Sequence, residues 1–222
     1  MLIELHCHSD ASGDSLMQPA RMIEVCRRRC IGRLAVTDHN TLRGALRVQA
    51  LAPDLVIAGE EIMTTQGELL AYFVKEEIPK GLTPAETISR LRAQDAVISV
   101  AHPFDRLRRG AWLEADLAVV VPQVDALEVF NARCIFAEDN ARALAFARAH
   151  GKPGMVGSDA HTYWELGRAA LRADGADDRE ALLRAFADGE PLTRLSPPFI
   201  HFTSTWAKYW KRLRRRLHPK RG

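Results

Sequence analysis

Cysteine is scarce in this chain. Cys7, Cys26, Cys30 and Cys134 form no C-x-x-C pair, so neither a disulfide framework nor a thiolate-rich zinc site is expected. Cys26 and Cys30 stand four apart in a helical stretch and read as half-buried thiols. No window approaches the ~18 consecutive apolar residues of a membrane span. No basic stretch leads into an apolar run at the N-terminus, so no secretory signal is expected and a cytoplasmic location is the default. The chain lacks a Walker loop, a G-x-G-x-x-G after a strand and a G-x-S-x-G elbow. Phosphate-cradling glycine loops and a serine nucleophile therefore have no foundation. Acidic residues are missing from the C-terminal end: from Trp206 on there are eight Lys and Arg and no Asp or Glu. Of 31 basic residues that leaves 23 in the body against 28 acidic ones, so the body is mildly acidic and the basicity lies in a tail.

What is present is a regular alternation. Hydrophobic residues make up 47% of 222, enough for a sizeable core in one domain. "LIEL" reads as a strand and "DSLMQPARMIEVCRRRCIG" as a helix, with Pro19 in its first turn and Gly32 after its end. "RLAVTDH", "DLVIAGEEI", "GELLAYFV", "AVISVAHP", "DALEVFN" and "PGMVGSDAH" read as further strands, and "GRAALRAD" as one more. The intervening helices include "TPAETISRLRAQD", with Thr83 and Glu86 spaced as a capping box. Such apolar strands suit a mostly parallel sheet covered by helices. About seven β/α units point to a closed or nearly closed barrel, short of the ~250 residues of an eight-unit one.

The ionisable residues collect where strands end: His6 and His8, Asp38 and His39, Glu60 and Glu61, His102, Asn131, and Asp159 and His161. In a β/α barrel those ends open on one face. Residues i and i+2 of a strand point the same way, roughly 7 Å apart, so His6 and His8 can meet one ion; Asp159 and His161 repeat the spacing. Glu61 adds a hard oxygen donor. Imidazole with carboxylate suits Zn, Mn or Fe. Taken singly, each has an ordinary alternative: an H-x-H pair on an exposed strand, a buried His102 bonded to backbone, Asp159 or Asp38 capping a turn or helix. Together they would each need separate burial or solvation, which favours one metal site.

"HCHSDASGDS", "VTDHNT", "GEEI", "AHP" and "GSDAH", in this order, resemble the motifs of the PHP (polymerase and histidinol phosphatase) family, over roughly residues 1–198. The resemblance implies a distorted seven-stranded (β/α) TIM-like barrel, an α/β single domain holding two or three divalent cations. It implies His6, His8, Asp14, His39, Glu61, His102, Asp159 and His161 as ligands, with Glu61 bridging and Glu60 facing away. One further ligand, a histidine or cysteine near the end of "EVFNARC", has only Asn131 and Cys134 as candidates here. The family includes phosphatases and nucleases, so the expected activity is hydrolysis of a phosphate ester, in a small phosphomonoester or nucleotide. Clustered cations acidify a bridging water and neutralise phosphoryl charge, and attack by the bridging hydroxide is the expected step. Asp159 would orient the water, and His161 or His39 would protonate the leaving oxygen. Arg133, just past a strand end, is the candidate phosphate clamp, ahead of Arg43 and Arg106. Amide or lactone hydrolysis is the weaker chemistry, since Lys75, Lys80 and Lys152 are not placed to bridge metals.

Residues 199–222 form the basic tail. "TWAKYWKRLRRRLHPKRG" reads as an amphipathic helix with Trp206, Tyr209, Trp210, Leu213 and Leu217 on one face and Lys208, Lys211, Arg212 and Arg214 to Arg216 around it. Three readings stay open: docking of the aromatic face on the barrel, an anionic membrane surface, or nucleic acid. The last keeps alive an exonuclease or another enzyme of nucleic-acid ends. A non-catalytic, metal-stabilised interaction module is the alternative to an enzyme. His150, His201 and His218 fall outside the motifs and read as ordinary.

Overall fold

Strands and helices alternate in the computed structural model, which describes residues 1–108 and 110–217. His218 and the rest of the expected tail to residue 222 lie outside the described residues, as does the side chain of Arg215. β1 (Leu2–Cys7) pairs in parallel with β2 (Ile31–Val36), and β2 with β3 (Val56–Met63); α1 (Pro19–Arg28) and α2 (Arg43–Leu51) make the crossovers. A second parallel group comprises β5 (Val97–Val100), β6 (Ala126–Asn131) and β7 (Gly154–Gly157), with α4 (Glu114–Val120) and α5 (Ala137–Ala149) between them. β4 (Glu68–Tyr72) lies antiparallel between β3 and β5, and α3 (Pro84–Ala93) leads into β5. β8 (Ala169–Arg172) runs antiparallel to β1, and β9 (Glu190–Thr193) antiparallel to β8, with α6 (Arg179–Asp188) joining them.

Among the described residues the sheet therefore has nine strands, in the order β7-β6-β5-β4-β3-β2-β1-β8-β9, and not the expected seven. Nor is it mostly parallel. The link from β3 to β4 spans only Thr64 to Gly67, far short of the roughly dozen residues a parallel crossover needs. Beyond β7 the chain returns to β1: His8 N donates to Ala160 O (2.9 Å) and Ala160 N to His6 O (3.2 Å). Glu4, fully buried, adds a staple there, accepting from the backbone N–H of His6 and Ser158 on Oε1 and of Gly167 on Oε2. The result is a nearly closed, barrel-like α/β domain.

Two buried apolar groups hold it. One packs α1, α2 and α3 against the sheet through Met22, Cys26, Val48, Ile88 and Leu91. The other gathers Ile3, Leu5 and Tyr72 with Leu182, Ala185 and Phe186 of α6. The Thr83–Glu86 capping box is formed as expected. The end of α1 is not: the chain turns at Cys30 (φ 55°), and Gly32 lies inside β2, where a Cβ would strike Met1. Cys26 is buried and Cys30 exposed, where both read as half-buried.

The tail forms α7 (Ile200–Leu217). It docks through Ile200, Ser204 and Ala207, while Phe202, Trp206 and Tyr209 stay exposed. Docking of the aromatic face is thus corrected: the small side chains allow close approach, and the bulky rings point outward.

A polar network holds the loop between β1 and α1. Asp38, after β2, accepts from both the N–H and the hydroxyl of Ser9 and of Ser12, pinning that loop in place. Gly44 in α2 lies against it. A Cβ there would fall 1.9 Å from Asp38 Oδ2 and 2.1 Å from Ser9 Oγ. Helix propensity alone predicts that Gly44→Ala stabilises by up to ~1 kcal/mol. The contact predicts the opposite, a loss of about 1–3 kcal/mol. Denaturant unfolding decides the sign, and an unchanged or raised midpoint would contradict this packing.

Candidate metal centre

The strand ends deliver their polar side chains to one point. β1 brings His6 and His8, with ring centroids 5.1 Å apart. Glu61 of β3 lies at the middle: its Oε1 is 3.0 Å from His102 Nε2 and 3.4 Å from His6 Nε2. Its Oε2 is 2.7 Å from His39 Nδ1 and 3.5 Å from His8 Nε2. Asp159, past β7, places Oδ1 3.1 Å from His8 Nε2 and 3.7 Å from His6 Nε2. Asp14 closes the far side, 3.3 Å from His161 Nε2 and 3.5 Å from His39 Nε2. Every residue expected as a ligand is therefore in the cluster. Asp159 (φ 52°) and His102 (φ 22°) take backbone conformations that L-residues rarely adopt, at a cost on the order of 1–3 kcal/mol each. Glu60 points away, accepting from Ile78 N, and burial pushes its carboxyl up to about 8.

The outer nitrogens of three histidines are fixed by acceptors. His6 Nδ1–H donates to Glu128 Oε1 (2.9 Å). His161 Nδ1–H donates to the carbonyl of Asp159 (2.8 Å). Ser12 gives its hydroxyl proton to Asp38 Oδ1 at 2.6 Å, so it accepts from His8 Nδ1–H at 3.3 Å. In the neutral ring each arrangement leaves Nε2 as a lone-pair donor facing inward, as outer partners of metal-bound histidines do.

Three positions depart from expectation. Arg133, expected as a phosphate clamp, is engaged elsewhere. Its guanidinium is buried, pairs through Nε with Glu165 Oε1 (3.0 Å) and donates through Nη2 to Ile200 O and Ser204 Oγ of α7. Glu165 in turn accepts from the N–H of His161 and Thr162, so Arg133 braces the His161 loop. Asn131 donates from Nδ2 to Glu128 and Asp159 and accepts from Arg133 N–H on Oδ1, the pattern of a supporting donor rather than a ligand. Cys134 is absent from the convergent donor groups among the described residues, and burial pushes its thiol up. Arg106 pairs with Asp139, and Arg43 is exposed. Glu128, Glu68 and Arg108 belong to the site without having been expected there. Glu68 Oε2 lies 3.6 Å from His102 Nε2 and joins His39 and Glu61 as a possible donor group. Arg108 donates from Nη2 to Asp159 Oδ2.

Electrostatics follow from this crowding. Burial works against the carboxylates, yet His39 and His6 hold Glu61, and Arg108 and His6 hold Asp159, well below the usual carboxylate range. Burial likewise opposes charge on His6 and His39, but Glu128 and Glu61 raise the first, and Glu61 and Asp14 the second, well above an ordinary histidine. His8, lowered by burial and by His161 and His39, is held neutral. His6 Nε2 is buried without a hydrogen-bond partner, and Glu61 Oε2 and Asp14 Oδ1 face histidine nitrogens without well-formed hydrogen bonds. Such orphaned atoms are rare and costly. Divalent cations fit the donor set, which is imidazole and carboxylate throughout.

Known proteins share this architecture. A sequence model of the PHP-associated family matches residues 137–191. The uncharacterized protein MJ0417 of Methanocaldococcus jannaschii is 35% identical over 175 residues, which cover 78% of this chain and 70% of that one. A two-domain Bacteroides vulgatus protein containing a predicted PHP-like metal-dependent phosphoesterase superposes with a TM-score of 0.69 at 16% identity. It matches over 87% of this chain, which spans 65% of its length. Endonuclease Q, solved with a 27-mer duplex carrying an abasic lesion at its active site, gives a TM-score of 0.60 at 17% identity, over 86% of this chain and 58% of that one. At such identities the structural likenesses speak for the fold. The motifs quoted from the sequence lie on that fold, with their side chains meeting where its strands end, and the chain belongs to the PHP (polymerase and histidinol phosphatase) family.

Proposed function

We propose that the chain hydrolyses a phosphate ester, using two or three divalent cations held by His6, His8, Asp14, His39, Glu61, His102, Asp159 and His161, with Glu68 as a further carboxylate. The observation that carries this reading is the inward Nε2 of His6, His8 and His161, each set by an acceptor on Nδ1. Cations bound there supply Lewis acidity and an acidified water.

The chain's own groups divide the remaining work. Asp159 orients the attacking water and is itself oriented by Asn131 and Arg108. Arg108, with its side chain 20% exposed, takes the phosphate-clamping role expected of Arg133. The leaving oxygen departs on the side of His39, where water can protonate it, because that side chain is 22% exposed while those of His6, His8, His102 and His161 are at most 1%. The substrate is a small phosphomonoester or nucleotide. The fold likeness to endonuclease Q favours a second reading, a phosphodiester at a nucleic-acid end. Assays of the Mn- or Zn-loaded protein on phosphomonoesters and phosphodiesters separate the two, and inactivity on both classes would return the chain to a metal-stabilised interaction module. No helix among the described residues is long and apolar enough to cross a membrane.

In metal-reconstituted protein, His8→Ala or Asp159→Ala is expected to lower kcat by at least ~100-fold; near wild-type turnover by either variant would sink the assignment. A second expectation concerns protons. His6 and His39, raised well above 6.5, carry protons at neutral pH in the metal-free chain and must lose them to bind a cation. Metal affinity therefore rises with pH. Titration calorimetry at neutral pH in two buffers of different ionisation heat is expected to show proton release; equal heats and a pH-independent affinity would contradict it.

A further inference from the structure

α7 does more than finish the fold. Two of its lysines reach the metal centre and the loop beside it. Lys211 Nζ donates to the carbonyls of Asp10 (2.8 Å) and Ser12, fastening the helix to the loop that carries Asp14. One turn earlier, Lys208 reaches inward, with Nζ 3.3 Å from Asp14 Oδ2. The Lys208 side chain remains 60% exposed, against 10% for Asp14, so the ammonium stands between solvent and the cluster. Arg108 holds a corresponding place on Asp159. Beside Lys208 a groove of about 480 Å³ is lined by Gly13, Thr205, Lys208, Tyr209, Lys211 and Arg212. It is bordered by cations and by one exposed aromatic ring.

The geometry points to Lys208 as a substrate-binding residue, whose ammonium takes a non-bridging oxygen of a terminal phosphate, with the rest of the substrate lying along the groove. Asp14 offers the ammonium a partner in this structure, and that carboxylate is shared with the cations once they bind. Sharing that carboxylate with cations would loosen its hold on the ammonium and leave the ammonium open to a substrate oxygen. A terminal phosphate carries a second negative charge and a free oxygen that a phosphodiester lacks, so Lys208 selects monoesters over diesters. This rests on the phosphoesterase reading above and deepens it.

The test uses the full chain loaded with Mn. Inorganic phosphate binding, measured by calorimetry, is expected to weaken roughly 10- to 100-fold in Lys208→Ala, the loss of one charge-assisted contact. Lys208→Arg is expected to recover most of it. With p-nitrophenyl phosphate the alanine variant raises KM by a similar factor and lowers kcat much less. With bis(p-nitrophenyl) phosphate kcat/KM falls by a clearly smaller factor than with the monoester. Metal content by mass spectrometry stays at the wild-type value, since Asp14 and the histidines remain. Unchanged phosphate affinity, or equal losses on monoester and diester, would overturn the proposal. If wild-type protein cleaves neither ester, the phosphoesterase reading fails, while phosphate affinity still decides the role of Lys208.

Discussion

Carboxylates taken out of water cost several kcal/mol each unless positive charge meets them. Glu61 and Asp159 are both fully buried at the centre of this fold, with Asp14 nearly so. Everything around them answers that cost. Five histidines from four strand ends face them, Arg108 reaches Asp159 from its loop, and Lys208 reaches Asp14 from the C-terminal helix. In the metal-free chain protons on His6 and His39 do part of what cations would do. The site is thus built around buried carboxylates that need positive charge, whether from protons on histidines or from cations.

A second layer decides which way the ligands face. Glu128, Ser12 with Asp38, and the Asp159 carbonyl each occupy one ring nitrogen and leave the other inward. Behind them stand Glu4, Glu165, Arg133 and Asn131, which tie loops to one another rather than to a substrate. The near closure of the sheet is part of the same arrangement, because the hydrogen bonds between Ala160 and β1 set Asp159 and His161 beside His6 and His8.

The converging residues were legible in the sequence because their signal is local: i, i+2 pairs and short motifs at strand ends need no knowledge of partners. The supporting groups were not. Glu128 pairs with His6 across 122 residues, and its one visible sign was an acid inside the apolar run "ALEVFN". Arg133 stood closer to a strand end than Arg108 did, and only the fold reveals that Glu165 and α7 have claimed it. The direction of β4 could have been read, since "TTQG" is too short to cross over a sheet. The orientation of α7 could not: its rings share a face, but the helix docks through Ser204 and Ala207, whose small size gave no hydrophobic signal.

If the site binds divalent cations as proposed, they meet the Nε2 atoms of His6, His8 and His161. Nitrogen-15 NMR of the histidine rings, with and without Zn, tests it directly. Protonated Nδ1 and metal-shifted Nε2 are expected at these three residues in the loaded protein. Coordination through Nδ1, or ring nitrogens unmoved by metal, would contradict it.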